Sequence, residues 1–420
     1  MKHISLAAIC ACAALGASAQ TSLVKEAKDA YGKGKAYAEV ITMITPAFTN
    51  PETSQNAETY YVPGEMSFKE YDELYKYTQI QPSKYNAADS ARMGKMLVDG
   101  YNYFMKAFPL DSIPNEKGKV KPKFSKNMIN TLVDHARDYR AGGVFLYNTN
   151  DYKGAYDAWM IYGTLPEIPE VHKKLESLNR MTPGMMPSDE EISEILYNAG
   201  LAAWQMNEFD KAYDAFMKAK AKGYNKKQVY DYAMAVAQQG GHEDKVFALA
   251  EEALPLYGKE DPMYVRLILN HYIVNKENDK AFEVVNQALA AEPANSQYLV
   301  FRGILFESNG DIDAAKKNYE DAVAADSRNA QALYYLGHAL YNEASALSDK
   351  GPANPAESQK YFTDVVKPVL LESIKYLENS VDEEPADTRL DALRTLQNAY
   401  YALNDNANYE YTQKRLDAMK

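Results

Sequence analysis

The sequence is nearly empty of cysteine: Cys10 and Cys12 are the only two in 420 residues. Both fall in an apolar opening stretch. Lys2 supplies a short positive start, Ile4 to Leu15 is apolar, and Ala17-Ser18-Ala19 has the small-x-small pattern of a cleavage site. We therefore expect a signal peptide at 1–19, with Gln20 at the mature N-terminus. The mature chain would then hold no cysteine, which excludes disulfides, thiol catalysis and thiolate metal sites. A lipidated reading would need Cys10 or Cys12 as first residue after an unusually short leader, and Ile9 is too large for the position before it. Excess positive charge is also missing. The formal net charge is −12 and the pI about 5.2, so no basic footprint for general nucleic-acid binding dominates. Long apolar runs are absent as well. The opening stretch is too short to span a bilayer stably, and no later segment qualifies, so no transmembrane span is expected.

Recognisable chemistry is equally scarce. There is no Walker A sequence, no Gly-x-Ser-x-Gly, no His-Glu-x-x-His and no dinucleotide fingerprint. Gly32-Lys33-Gly34-Lys35 follows no strand and reads as a helix interruption. His135, His172, His242, His271 and His338 are never three or four apart, so no helix presents a paired metal site. The acidic runs Asp189-Glu190-Glu191 and Asp382-Glu383-Glu384 read as helix-terminus charge and a turn, not as an acid–base pair. We expect no enzyme activity, no cofactor and no metal.

What the sequence has in quantity is tyrosine, 34 residues, a side chain that fills a helix interface while keeping its hydroxyl near water. It also has a period. Leu299 and Leu333, Gly303 and Gly337, Ala281 and Ala315, and Ala288 and Ala322 are each 34 residues apart. Small residues recurring in phase let antiparallel helices approach closely, with Tyr272, Phe306 and Tyr319 filling the space around them. Glu292-Pro293, Asp326-Ser327 and Glu384-Pro385 mark the turns between pairs. Ser308-Asn309-Gly310-Asp311 and Asn275-Lys276-Glu277-Asn278 mark the turns within them.

This pattern resembles the tetratricopeptide repeat. Residues 296–329 match it with Leu299, Gly303, Phe306, Ala315, Tyr319 and Ala322. Residues 262–295 match with Val265, Tyr272, Ala281, Val285, Ala288 and Pro293, but with Leu269 at a small position. Residues 193–226 supply Gly200, Ala212, Phe216 and Ala219. Residues 227–260 are weaker, with Met234 and Val246 at small positions. The resemblance implies an all-α fold, an α-solenoid of stacked antiparallel helix pairs (a TPR superhelix). The expected organisation is an N-terminal helical region at 20–135, a repeat-like pair at 136–169 carrying Gly143, Ala155 and Trp159, and a connector at 170–192. The array follows at 193–329, then a unit at 330–387 with 24 inserted residues, and capping helices at 388–420. The insertion displaces the expected small residue to Ser373 and lengthens a helix over Lys360–Asn379. In the N-terminal region, Ala87–Phe108 reads as one amphipathic helix with Met93, Met96, Leu97, Tyr101, Phe104 and Met105 near one face. A loop from Pro109 to Lys126 follows, with Lys117, Lys119, Lys121, Lys123 and Lys126. It reads as a solvated connector and lacks the aromatic interleaving that stacks on bases. Ser188 and Glu191 form a capping box.

In this family the first helix of each pair lines a partner-binding groove. By resemblance, the groove positions fall on Arg140, Tyr147, Tyr197, Trp204, Gln205, Asp231, Gln238, Arg266, Asn270, Glu307, Tyr334, His338 and Tyr341. Aromatics and Arg are favoured at binding hot spots, although Tyr also packs between helices. Arg266 and Asn270 imitate the first pair of a clamp that one subgroup uses for C-terminal carboxylates. Phe301, Gln331 and Tyr335 leave that clamp incomplete, so chaperone-tail binding is not expected. The resemblance implies protein partners and a scaffold or adaptor function. The leader resembles those of Gram-negative bacteria, which adds the expectation of an exported protein in the periplasm or associated with the outer membrane. Two alternatives share the scaffold, glycan binding and outer-membrane assembly.

Overall fold

The structure is a computed structural model that describes residues 23–82, 85–114, 117–383 and 388–419. The expected signal peptide, with Cys10 and Cys12, lies outside the described residues, as does the Glu384-Pro385 turn. The described residues are helices and turns, without a strand. They divide into two compact units, 1–242 and 243–420. The division falls inside the interval 227–260.

In the first unit a helical stretch over 23–32 ends at the expected interruption, where Gly34 takes φ +87°. Then come α1 (Tyr37–Thr49), α2 (Ala57–Ile80), α3 (Ala87–Asp111), α4 (Ser125–Asp134), α5 (Asp138–Asn148), α6 (Tyr152–Thr164), α7 (Pro169–Met181), α8 (Asp189–Gln205), α9 (Phe209–Ala221) and α10 (Lys227–Gln239). Neighbours in sequence pack as antiparallel pairs in α2/α3, α5/α6 and α8/α9. Asn86 and Asp89 cap the start of α3 reciprocally, and Ser188 and Glu191 do the same for α8. Helix α3 runs through Pro109 to Asp111 instead of stopping at Phe108. The Asp111 carboxylate then accepts the backbone N–H groups of Lys123, Phe124 and Ser125, at 2.7–2.9 Å. The lysine-bearing loop is thus tied down at its far end, and α4 starts at Ser125, inside the expected loop.

The second unit contains α11 (Glu243–Tyr257), α12 (Met263–Val274), α13 (Asn278–Ala291), α14 (Ser296–Ser308), α15 (Ile312–Ala325), α16 (Ala330–Asp349), α17 (Pro355–Tyr361), α18 (Lys367–Asp382), α19 (Arg389–Ala402) and α20 (Asn406–Asp417). The pairs here are α12/α13, α14/α15, α16/α18 and α19/α20. A π-helical turn at Phe362–Val366 joins α17 to α18, so the helical segment runs over 355–382, longer than the expected Lys360–Asn379. Pro368 gives the reason. It has no N–H to donate to the Asp364 carbonyl, and its ring would crowd that oxygen, so the backbone widens by one residue.

The helix crossings carry the fold. A Cβ built on Gly143, Gly200, Gly303 or Gly337 would lie within 3 Å of Trp159, Phe216, Tyr319 or Leu377, respectively. The first three partners are sixteen residues downstream and the fourth forty. The difference equals the 24 inserted residues, and Ser373, buried, donates to the Gly337 carbonyl at 2.6 Å. The insertion therefore loops out of the pair without changing its crossing. At α12/α13 the sizes are exchanged: Leu269 stands where the others have Gly, and the smaller Val285 stands where they have a large side chain, both buried in one cluster. This crossing therefore carries its larger side chain on the first helix and its smaller one on the second.

The pairs α5/α6, α8/α9, α12/α13, α14/α15 and α19/α20 close by a common turn. Asn150, Asn207, Lys276, Gly310 and Asn404 all have φ between +56° and +83°. The residue after each donates its N–H five residues back, as Asp151 to Leu146 and Asp311 to Phe306. This satisfies a carbonyl that the helix end would otherwise leave open. The next helix then starts on an Asp cap in α6, α15 and α20.

Candidate functional site

The groove positions behave differently in the two units. In the first, most of the aromatic ones pack against neighbours. Tyr197 stacks on Tyr224 with centroids 4.6 Å apart and lies 6.0 Å from Tyr232. Burial pushes its phenol well up from the usual range. Trp204 meets Tyr232 edge-on at 5.4 Å, and its indole N–H donates to Gln239 at 2.9 Å. Tyr147 packs against Tyr152 and Trp159. The Arg140 carbonyl accepts the Trp159 N–H, and its guanidinium lies 3.7 Å from Glu191. Asp231 pairs with Lys227 at 2.8 Å, and Gln205 and Gln238 are exposed.

In the second unit the same class of position opens on a pocket of about 390 Å³. Its walls are Arg266, Leu269, Asn270 and Ile273 from α12, Phe301 and Ile304 from α14, and Gln331, Tyr334 and Tyr335 from α16. Thr388 and Asp391, at the start of α19, close it. A smaller chamber shares Arg266, Phe301 and Gln331 and adds Asp261, Pro262, Met263 and Gln297. Helices α12, α14, α16 and α19 are the first members of successive pairs. The family-derived positions Arg266, Asn270 and Tyr334 are therefore brought to one place. His338 stacks on Tyr334 at 5.7 Å one turn along, and Asn342 approaches its Nδ1 at 3.4 Å. Tyr341 packs instead against the cluster of α16, α18 and α19, and Glu307 accepts the Tyr319 hydroxyl at 2.7 Å.

Sequence reasoning missed the α19 wall, because Thr388 and Asp391 follow the insertion and a turn at which the repeat pattern had ended. Thr388 is only 9% exposed, and its hydroxyl has no hydrogen-bond partner. Tyr139 and Tyr162 carry the other buried unpartnered hydroxyls among the described residues. Those two lie in the helical core of the first unit, whereas Thr388 lines a pocket. Burial, followed by the nearby Asp391, pushes the Tyr334 phenol up to about 12. Tyr335 is raised by burial, with Glu307 and Asp391 adding to it. Both phenols are neutral donors at ordinary pH. Asp391 is the pocket's carboxylate, and Arg394 holds it at 3.2 Å.

A pocket of about 190 Å³ in the first unit, between Lys25, Lys28, Asn56 and Thr59, is less open to a ligand's demands. The Thr53 and Thr59 hydroxyls donate to backbone carbonyls at 2.7 Å, and Asn56 caps α2. Among the described residues, no group of three His, Cys, Asp or Glu side chains is placed to hold a metal ion, and no helix is long and apolar enough to cross a membrane.

The sequence profile of the tetratricopeptide repeat matches residues 193–221 and 296–329, which contain the Gly200–Phe216 and Gly303–Tyr319 crossings. No curated protein matches the chain. Among solved structures, a TPR repeats protein from Bacteroides fragilis is 19% identical over 68% of this chain and 99% of that one, with TM-score 0.28. Yeast Tom70 is 16% identical over 94% and 84%, with TM-score 0.36. The human IFIT1 dimer with m7Gppp-AAAA is 12% identical over 83% and 72%, with TM-score 0.38.

Proposed function

We propose that this chain, which carries tetratricopeptide repeats, is a non-catalytic scaffold that holds a segment of another protein, and that it works outside the cytoplasm in a bacterial cell envelope. The observation that carries the binding reading is the pocket between α12, α14, α16 and α19. It is concave and aromatic-lined, and its polar groups at Arg266, Asn270 and Thr388 have no partner among the described residues. Unpaired polar groups beside apolar wall are what an interface uses to fix register, while the apolar contacts supply most of the affinity. Export rests on Lys2, the apolar run Ile4 to Leu15 and Ala17-Ser18-Ala19. Periplasmic residence or association with the outer membrane follows from that leader.

The test is a photo-crosslinking residue placed at Tyr334 in native cells, followed by fractionation and identification of what is captured. A protein partner in the envelope fraction is expected. Full-length chain in the cytoplasm, or crosslinks to no protein, would end this reading. Glycan binding is the second reading, favoured by the ring series Tyr197, Tyr232 and Trp204 in the first unit. Binding to a glycan array that disappears in Trp204→Ala would promote it over the first.

A further inference from the structure

We propose that the lysine-bearing loop between α3 and α4 is a docking surface for a bilayer rich in anionic phospholipid. This goes beyond the scaffold role and does not depend on it, because it uses no residue of the pocket between α12, α14, α16 and α19.

The loop is closed at its base. At the end of α3 the Asp111 carboxylate accepts the N–H groups of Lys123, Phe124 and Ser125 at 2.7–2.9 Å, and the Ser125 hydroxyl at 2.7 Å. The Phe124 ring stacks on Tyr61, with centroids 4.3 Å apart. The two ends are thereby held together on the body of the unit, as in a compact surface loop. The described residues between them, 112–114 and 117–122, are all exposed. Lysine stands at every second position from 117 to 123, with Gly118, Val120 and Pro122 between, and again at 126. Residues 112–127 carry five lysines and no arginine against one acidic residue, Glu116. Lys121 and Lys126 have no hydrogen bond or ion pair among the described residues. Lys123 lies 3.8 Å from Glu58, a pair exposed on both sides and therefore weak. Val120 is 50% exposed and Ile113 56%, so the loop presents apolar side chains to water beside its charges.

This combination selects the partner. Lysine is a strongly hydrated point charge and lacks the planar fork by which arginine reads a single carboxylate or phosphate. A row of lysines on an exposed loop therefore suits spread negative charge better than one docked acid. Val120 and Ile113 decide between a membrane and an acidic polypeptide. The polypeptide would set polar side chains against them. A bilayer interface instead offers phosphates to the ammonium groups and an acyl boundary to the apolar side chains. Lysine stems reach past apolar neighbours while their heads stay in the polar layer. The chain's net charge of −12 does not oppose this contact, since charges more than about 8–10 Å from the surface are largely screened at physiological salt. The same negative charge disfavours other faces and so sets one orientation on the membrane.

The test is sedimentation of the full chain with vesicles of phosphatidylcholine, with and without about one third phosphatidylglycerol. The apolar stretch Ile4 to Leu15 would itself partition into lipid, so each arm compares wild type with a variant that shares it. Wild type should bind the anionic vesicles at least about tenfold more tightly than the neutral ones. It should lose that advantage at about 0.5 M salt, where the screening length falls below about 5 Å. Lys121→Gln with Lys126→Gln should weaken binding about twentyfold, roughly fivefold per lysine. Lys121→Arg with Lys126→Arg keeps the charge and should bind as wild type does. Val120→Gln should weaken binding a few-fold. Lys350→Gln with Lys414→Gln, at exposed lysines of the second unit, should change nothing. Melting should be unchanged throughout, since all these side chains are exposed. Equal binding to neutral and anionic vesicles overturns the proposal, as does undiminished binding by the double-glutamine loop variant or an equal loss in the second-unit control. If that loop variant loses a poly-glutamate peptide while its vesicle binding is untouched, the loop is a site for an acidic polypeptide and lipid docking falls.

Discussion

The α2/α3 pair near the N-terminus and the α14/α15 pair of the repeat array solve one packing problem with different sequences. In α14/α15 the glycine comes from one helix and the ring from the other: Gly303 receives Tyr319. In α2/α3 each helix gives both. Gly64 receives Phe104, and Gly100 receives Phe68, with glycine and ring four residues apart on each helix. The two phenylalanines then lie side by side, centroids 5.2 Å apart. Residues four apart share a helix face, so the reciprocal arrangement doubles the close contact along one seam. It suits helices of 24 and 25 residues, whereas a single crossing suffices for helices of 13 and 14. Close approach is thus the shared physical requirement, and a 34-residue period is only one way of writing it.

The comparison breaks most visibly at Phe104, which is fully buried. Phe104→Ala empties one half of the seam and should destabilise the first unit by about 3–5 kcal/mol, read as an early transition in thermal unfolding. Gly303→Leu, or Ala315→Leu beside it, should cost about 1–3 kcal/mol or more through overpacking. Wild-type melting for both would contradict the crossing. Adding Tyr319→Val to Gly303→Leu imitates the native Leu269–Val285 crossing and should recover more than half of the loss. Failure to recover would mean that volume alone does not decide the crossing.

Asp111 sharpens a further contrast, because the N-terminal region uses a carboxylate where the repeats use a tight turn. Its oxygens accept three backbone N–H groups and the Ser125 hydroxyl. Burial raises its pKa, but these bonds outweigh burial and hold the carboxyl below the usual range. A depressed folded-state pKa means that the stabilisation is full above the unfolded carboxylate value, near 4, and fades as pH falls through the folded value. Asp111→Asn should therefore cost about 1–2 kcal/mol at neutral pH. The gap from wild type should narrow steadily below pH of about 4. A gap that stays constant to pH 2 would remove the carboxylate from the account.

The repeat crossings were legible in the sequence because glycine and a large residue at fixed separation leave a visible imprint, even across the insertion. The α2/α3 seam was not, because its pattern is written within each helix and never repeats at the same interval. Half of the pocket was legible through Arg266, Asn270 and Tyr334. The half on α19 was hidden, since Thr388 carries no signal until neighbouring helices bury its hydroxyl. The half-buried rings Tyr197 and Trp204 show the reverse case. Their residue types suit a binding surface, yet Tyr224, Tyr232 and Gln239 occupy much of their contact.

The smallest expected effect lies in the turns within the helix pairs. Gly310 and Lys276 hold the same left-handed position, at φ +83° and +59°, and the residues after them make the same five-residue return bond. A lysine there brings its Cβ against the carbonyl oxygen, at a cost of about 1–2 kcal/mol, whereas glycine has none to bring. Glycine loses more backbone freedom on folding, which offsets part of that gain. Lys276→Gly should therefore stabilise α12/α13 by a net of about 0.5–1 kcal/mol, and Gly310→Lys should destabilise α14/α15 by a similar amount. Urea unfolding of the pair of variants checks both signs at once. If both substitutions destabilise, the Lys276 side chain contributes more through its surroundings than its backbone costs, and the two turns are alike in geometry but not in energetics.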